Sequence, residues 1–167
     1  WEVHALRLLG AVLDGGYSAR LPSRLERGDA VATSVGTSYD AFTRGDSLFI
    51  FSGIPNEARN IDLPQLEEAI WKEIDELKQN PPSADELARV QAQVVAGLVY
   101  AQDSIMAQAN RIGELEVVGL PWELVDADTA ALQAITPEQI SEVARKYLTR
   151  ERYTRSYNLP LAEEAQP

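Results

Sequence analysis

The sequence predicts an α+β domain, a two-layer sandwich in which an antiparallel or mixed sheet is covered on one face by helices. Val, Thr and Ser alternate from Ala30 to Tyr39, and a short apolar run follows at Leu48-Phe49-Ile50-Phe51, the pattern of paired strands. Apolar residues recur at helical spacing on either side of this stretch. An isolated hairpin cannot bury its apolar side alone, so those helices must cover it.

The elements follow in order. Val3, Leu6, Leu9 and Leu13, with Leu8 and Val12 beside them, mark an opening amphipathic helix that stops at Asp14-Gly15-Gly16, where glycine can turn left-handed. Ser18 offers an N-cap for a short second helix through Glu26, with Pro22 near its first turn, and Gly28-Asp29 ends it. The first strand then presents Val31, Thr33, Val35, Thr37 and Tyr39 on one face. Asp40 to Asp46, containing Gly45, turns the chain into the second strand.

Past Gly53-Ile54-Pro55 the pattern is helical. Leu63, Leu66, Ile70, Ile74 and Leu77 form one stripe, and Glu67, Glu68, Lys72, Glu73, Asp75, Glu76 and Lys78 form a solvated remainder. Asn80-Pro81-Pro82 breaks this helix. Ser83 with Glu86 is a capping-box signal for the next, which runs through Leu87, Val90, Val94, Leu98, Ile105, Ile112 and Leu115 to Gly119. That is long for one globular helix, so a break is expected between Gly97 and Ser104. Pro121 opens a helix through Leu124 and Leu132, and Thr136-Pro137-Glu138-Gln139 opens the last one with a Thr cap, a first-turn proline and a glutamine. Arg152 to Tyr157, rich in Tyr and Thr, reads as a final strand rejoining the sheet. Residues 1–157 thus form one domain, and 158–167, with Pro160 and Pro167 framing an acidic stretch, are expected to be a flexible tail.

Composition narrows the function. With 167 residues, 45% hydrophobic and 25% charged, the chain is long and apolar enough for one contiguous core. A formal net charge of -11 argues against a nucleic-acid partner, which would need clustered Lys and Arg. The absence of cysteine excludes disulfides and thiolate chemistry and leaves periplasm and cytoplasm equally open. No apolar run approaches the roughly 20 residues that span a bilayer, so a soluble domain is expected. Trp1 opens directly into the helical pattern with neither an initiator Met nor a signal-peptide pattern, so the expectation is a piece of a longer protein.

The segment from Ala5 through Asp14-Gly15-Gly16-Tyr17-Ser18-Ala19-Arg20-Leu21 resembles the helix, glycine turn and Ser-x-Arg-Leu stretch in the second domain of the pitrilysin/insulysin-family zinc peptidases, the inverzincins. Ser34-Val35-Gly36-Thr37-Ser38-Tyr39, the helix Leu63 to Leu77, Ser83-Ala84-Asp85-Glu86-Leu87, Gly119-Leu120-Pro121 and Ile135-Thr136-Pro137-Glu138-Gln139-Ile140 follow in the family's order. No one piece is specific; their order and spacing are. The resemblance implies a strand ahead of the opening helix, outside this chain, whose absence would leave a sheet edge able to pair with another copy.

The family's zinc is held by an H-x-x-E-H helix of its first domain and a distal glutamate, and this sequence has one histidine. The resemblance therefore implies no catalytic, metal or cofactor-binding residue here, with zinc in the parent's N-terminal domain. His4 reads as a surface or helix-packing histidine, and Glu67-Glu68 and Glu114-x-Glu116 as solvated helix faces. The family also uses an arginine and a tyrosine seven positions apart to hold substrate. Those positions fall on Glu26 and Thr33; Arg27 is one step out of register, and neither Arg20 nor Arg24 has a tyrosine at that distance. Asp14-Gly15-Gly16-Tyr17 lacks phosphate-loop spacing and reads as a helix stop. Trp71 and Trp122 read as core or interdomain packing, and Tyr153, Arg155 and Tyr157 as one strand face.

The resemblance implies a non-catalytic C-terminal domain that forms part of a peptidase's substrate chamber and meets the parent N-terminal domain and a second family-related subunit, with peptide as substrate. A parent lacking both functional elements would instead be an inactive scaffold or partner subunit, with an assembly or substrate-holding role.

Overall fold

The computed structural model describes residues 1–159. The expected tail lies, from Pro160 onward, outside the described residues. Its first element is α1 (Glu2–Asp14), whose Ala5, Leu8, Leu9, Val12 and Leu13 are buried. Each such leucine contributes about 1.5–3 kcal/mol through burial. The helix ends in the glycine turn, and it is Gly16, at φ 109, that takes the positive angle an L side chain resists.

Residues Pro22–Gly28 form a π-helical turn, wider than the α-helix expected there. Its last bond runs from the Asp29 N–H to the Arg24 carbonyl at 2.7 Å. Ser18 caps nothing: this turn has no side-chain cap. Leu21 and Leu25 bury beneath it.

Two strands, β1 (Ala32–Tyr39) and β2 (Phe49–Pro55), pair antiparallel, with Val35 opposite Gly53 and Thr37 opposite Phe51. The register slips between Ala32 and Ser34. That bulge changes the expected face. Ala32 and Val35 are buried and Thr37 and Tyr39 half-buried, whereas Thr33 is exposed, because the extra residue reverses the alternation. Tyr39, Phe49 and Phe51 stack along the inner face, with centroids 5.9 and 5.3 Å apart.

After a short 3-10 turn (Glu57–Arg59) comes α2 (Leu63–Gln79), opened by a reciprocal capping box between Asp62 and Gln65. The Asn80-Pro81-Pro82 break leads to α3 (Ala84–Ala101), and the long helical pattern is interrupted at Gln102–Ser104 before α4 (Ile105–Val117), inside the expected window. Then come α5 (Leu124–Gln133) and α6 (Pro137–Tyr147), the latter with the complete Thr136/Gln139 capping box. Gln91 closes the end of α5 by donating to the carbonyls of Leu132 and Ile135 at 2.9 and 3.0 Å. The α+β, helix-covered sheet is present, and the sheet is antiparallel. One face of α1 packs on β1 and the others meet α3, α5 and α6, while α2 bridges β2 and α6.

One expected element is replaced. Arg152 to Tyr157 joins no sheet; it lies along α2. Tyr153, Arg155 and Tyr157 all donate to the Glu67 carboxylate, and Tyr153 packs edge-on against buried Trp71 with centroids 5.2 Å apart. Side-chain bonds to a helix satisfy this segment where a ladder was expected. Glu73, expected on the solvated side, is instead buried and takes a 2.6 Å hydrogen bond from Arg24. Among the described residues no helix is long and apolar enough to cross a membrane.

Candidate functional site

Charged side chains gather at two junctions between elements. The first follows the outer edge of β1. Asp14 sits in the last turn of α1, where a carboxylate opposes the helix dipole. Its Oδ2 accepts the Thr37 N–H at 2.9 Å, and Glu26 Oε1, from the π turn, accepts the Val35 N–H at 2.9 Å. Two successive outward N–H groups of a strand edge are thereby satisfied, which closes that edge to another strand. Gly36 stands between them. A Cβ there would lie 2.9 Å from Asp14 Oδ2, so glycine leaves the carboxylate its place. Sequence reasoning missed both caps, although an acid in the last turn of α1 was a sign that it had a partner.

This edge accounts for the two positions at which the resemblance places a substrate-holding pair. Glu26 is engaged with Val35, and the Thr33 hydroxyl donates to the Pro55 carbonyl at 3.3 Å. The neighbouring arginines are committed too. Arg20 makes two 2.9 Å bonds to Glu86, and Arg24 pairs with Glu73 and Glu76 at 2.6 and 2.8 Å. Arg27 lies 3.6 Å above the centre of the Tyr17 ring and donates to the Tyr17 carbonyl. The glycine turn therefore carries Tyr17 back over the π turn. Hydrogen bonds from Arg20, joined by its charge, hold the Glu86 carboxyl below its ordinary pKa against the opposing effect of burial.

The second junction centres on Asp128, buried on α5 and paired with Arg7 of α1 and Arg111 of α4. His4 Nε2 approaches the same carboxylate at 3.1 Å, while His4 Nδ1 is buried without a hydrogen-bond partner. Burial pushes the His4 pKa down, with Asp128 opposing that shift. A zinc ion does not fit this cluster. It would meet a single imidazole and one carboxylate already claimed by two guanidinium groups. Among the described residues no group of three or more His, Asp or Glu side chains is placed to hold a metal.

The remaining singled-out residues separate. Glu68 pairs with Arg150 and Glu116 accepts the backbone N–H of Trp122 at 3.3 Å. Trp71 is buried, as core packing requires, whereas Trp122 is half exposed beside a groove between α3, α4 and α5.

Residues 1–94, from α1 into α3, match the family model described as the peptidase M16 inactive domain. The chain belongs to the peptidase M16 inactive-domain family. Two curated relatives extend the likeness: the uncharacterized zinc protease SCO5738 of Streptomyces coelicolor, 25% identical over 87% of this chain and 31% of its own length, and the uncharacterized zinc protease YmxG of Bacillus subtilis, 24% identical over 89% and 35%. The M16 chain spans about a third of the length of these relatives.

Solved structures show the same fold. A protease from Helicobacter pylori superposes with a TM-score of 0.82 at 19% identity, covering 90% of this chain and 36% of that one. The inactive peptidase domain of a candidate zinc protease from Bordetella parapertussis superposes at 0.77 and 17% identity, covering 97% and 87%. The structural likeness thus extends beyond the family-model match into α4, α5 and α6.

Proposed function

We propose that this M16 inactive domain is the non-catalytic C-terminal part of a zinc-dependent peptidase, forming one wall of its substrate chamber and the contact surface to a neighbouring domain or subunit. The observation that carries this reading is the inactive-domain match in a chain whose curated relatives, about three times longer, are named zinc proteases. The zinc would belong to the N-terminal domain of the parent. What this domain would contribute is enclosure: a walled site holds an extended peptide near its reactive geometry and keeps out larger proteins.

The two sheet edges support a division of labour. The β1 edge is closed by Asp14 and Glu26, whereas β2, from Phe49 to Ile54, carries no charged side chain and no such caps among the described residues. A strand ahead of α1 in the longer chain would join the sheet at β2. The engagement of Glu26 and Thr33 within the domain fits a reading in which a second family-related subunit supplies the substrate-holding pair.

The test is the parent chain itself. Its upstream sequence should encode H-x-x-E-H, and the purified parent, with its partner subunit, should hydrolyse unfolded peptides in a chelator-sensitive way, while residues 1–167 alone are inactive. A parent without the motif and without chelator-sensitive hydrolysis would make the domain part of a scaffold subunit.

A further inference from the structure

The break between α3 and α4 creates a surface with its own chemistry. There the chain makes a groove of about 590 Å³ between the end of α3, α4 and α5, with Leu98, Ile112, Trp122 and Val125 among its lining residues. Leu115 is the one buried residue of α4, while Ile105 and Met106 at its start are 85% and 69% exposed. An element so lightly packed leaves apolar surface in water that a partner can cover.

The charges around the groove decide what can cover it. Asp103 and Asp126 line it, and neither has an ion-pair partner among the described residues. Arg111, the lining cation, is turned onto buried Asp128. Two unpaired carboxylates beside a half-exposed indole form the combination that attracts a cationic side chain, by charge and through the face of the ring. A second copy of this chain, with net charge -11, or an anionic lipid surface would meet repulsion instead.

We propose that the α3–α4–α5 groove docks a basic, amphipathic peptide segment of a partner chain, its apolar residues against Ile112 and Trp122 and its Lys or Arg side chains against Asp103 and Asp126. This holds whether or not the parent is a peptidase, because it rests on the groove alone.

The experiment titrates residues 1–167 with a synthetic peptide alternating Leu and Lys pairs, and with its Leu/Glu counterpart, at low salt. Binding is followed by calorimetry and by the indole fluorescence lost in Trp122→Phe. The Leu/Lys peptide should bind, the Leu/Glu peptide should not, and the double variant D103N/D126N should weaken binding roughly tenfold. The control E57Q/E151Q removes the same number of exposed charges away from the groove and should change affinity by less than about twofold. All these positions are exposed, so circular dichroism should stay unchanged. Equal weakening in both double variants, binding of the Leu/Glu peptide, or no binding of the Leu/Lys peptide would overturn the proposal.

Discussion

The Asp14 carboxylate reaches across from the end of α1 to accept the Thr37 N–H at 2.9 Å, tying the central helix to the outer edge of the sheet. Asp14→Ala should therefore lower stability by about 1–2 kcal/mol, the cost of leaving a part-buried N–H unpaired. Asp14→Asn, which keeps an acceptor oxygen, should cost less. Gly36→Ala places a Cβ 2.9 Å from the same oxygen and should displace it. The double variant should then be less destabilised than the sum of the two single changes. Urea unfolding of these variants measures this; strict additivity of Asp14→Ala and Gly36→Ala would mean that the added Cβ does not act by displacing Asp14.

Arg20 and Glu86 join the segment after the glycine turn to the start of α3 through two 2.9 Å bonds, with side-chain exposures of 9% and 22%. Glu86→Gln should cost about 3 kcal/mol at neutral pH, since it strands a guanidinium group that is nearly buried. The pH dependence follows from the lowered folded-state pKa of Glu86. Its contribution is fully present above the ordinary value of 4.5 and is lost as pH falls through the lower folded value. The stability gap between the unsubstituted chain and Glu86→Gln should be constant above about pH 5.5 and narrow in acid. A gap independent of pH down to acid unfolding would refute the pairing.

Ser83 illustrates how far local signals reach. The Ser83 hydroxyl accepts the Glu86 N–H at 3.1 Å, as the capping pattern predicts, but the Glu86 side chain leaves the reciprocal bond unmade and turns to Arg20. The caps at Ser83 and Thr136, the proline break and the interruption after Gly97 depend on neighbours within a few residues, and for that reason they were legible, although the same kind of signal at Ser18 caps nothing. The burial of Glu73 depends on Arg24, and the path of Arg152 to Tyr157 on Glu67, partners far away in sequence. Val35, Thr37 and Tyr39 lie on the expected inner face of β1, but Thr33 falls outside it because a single bulge residue inverts a period-two pattern. Of the charged junctions, the sequence reading of His4 leaves surface and helix packing both open, and its neighbours Asp128 and Arg111 carry no local signature.

Asp128 fixes the more lightly packed end of the molecule. It is 3% exposed and joins α5 to Arg7 on α1 and Arg111 on α4. Asp128→Ala should cost about 3 kcal/mol by leaving two guanidinium groups uncompensated. The local effect should be larger than the global one. Hydrogen exchange across residues 105–117 should accelerate more than across α1 or α6, because α4 has little buried surface of its own to hold it. Uniform acceleration over all helices would show that Asp128 supports the core as a whole and not the attachment of α4.

Glu67 gathers Tyr153, Arg155 and Tyr157 onto one half-buried carboxylate, and Arg150 is held separately by Glu68. These contacts replace the strand pairing that the sequence pattern of Arg152 to Tyr157 predicts, so the segment's order depends on side chains. Glu67→Ala removes all three bonds while leaving Trp71 buried among its core neighbours. Trypsin should then cut after Arg152 and Arg155 markedly faster, with little change in the urea midpoint, because local release at a chain end leaves the cooperative core intact. Glu67→Gln, which keeps an acceptor oxygen for one of the two tyrosine hydroxyls, should show intermediate cleavage. If Glu67→Ala leaves tryptic cleavage unchanged, the Trp71–Tyr153 contact alone is enough to hold the segment, and the carboxylate is dispensable.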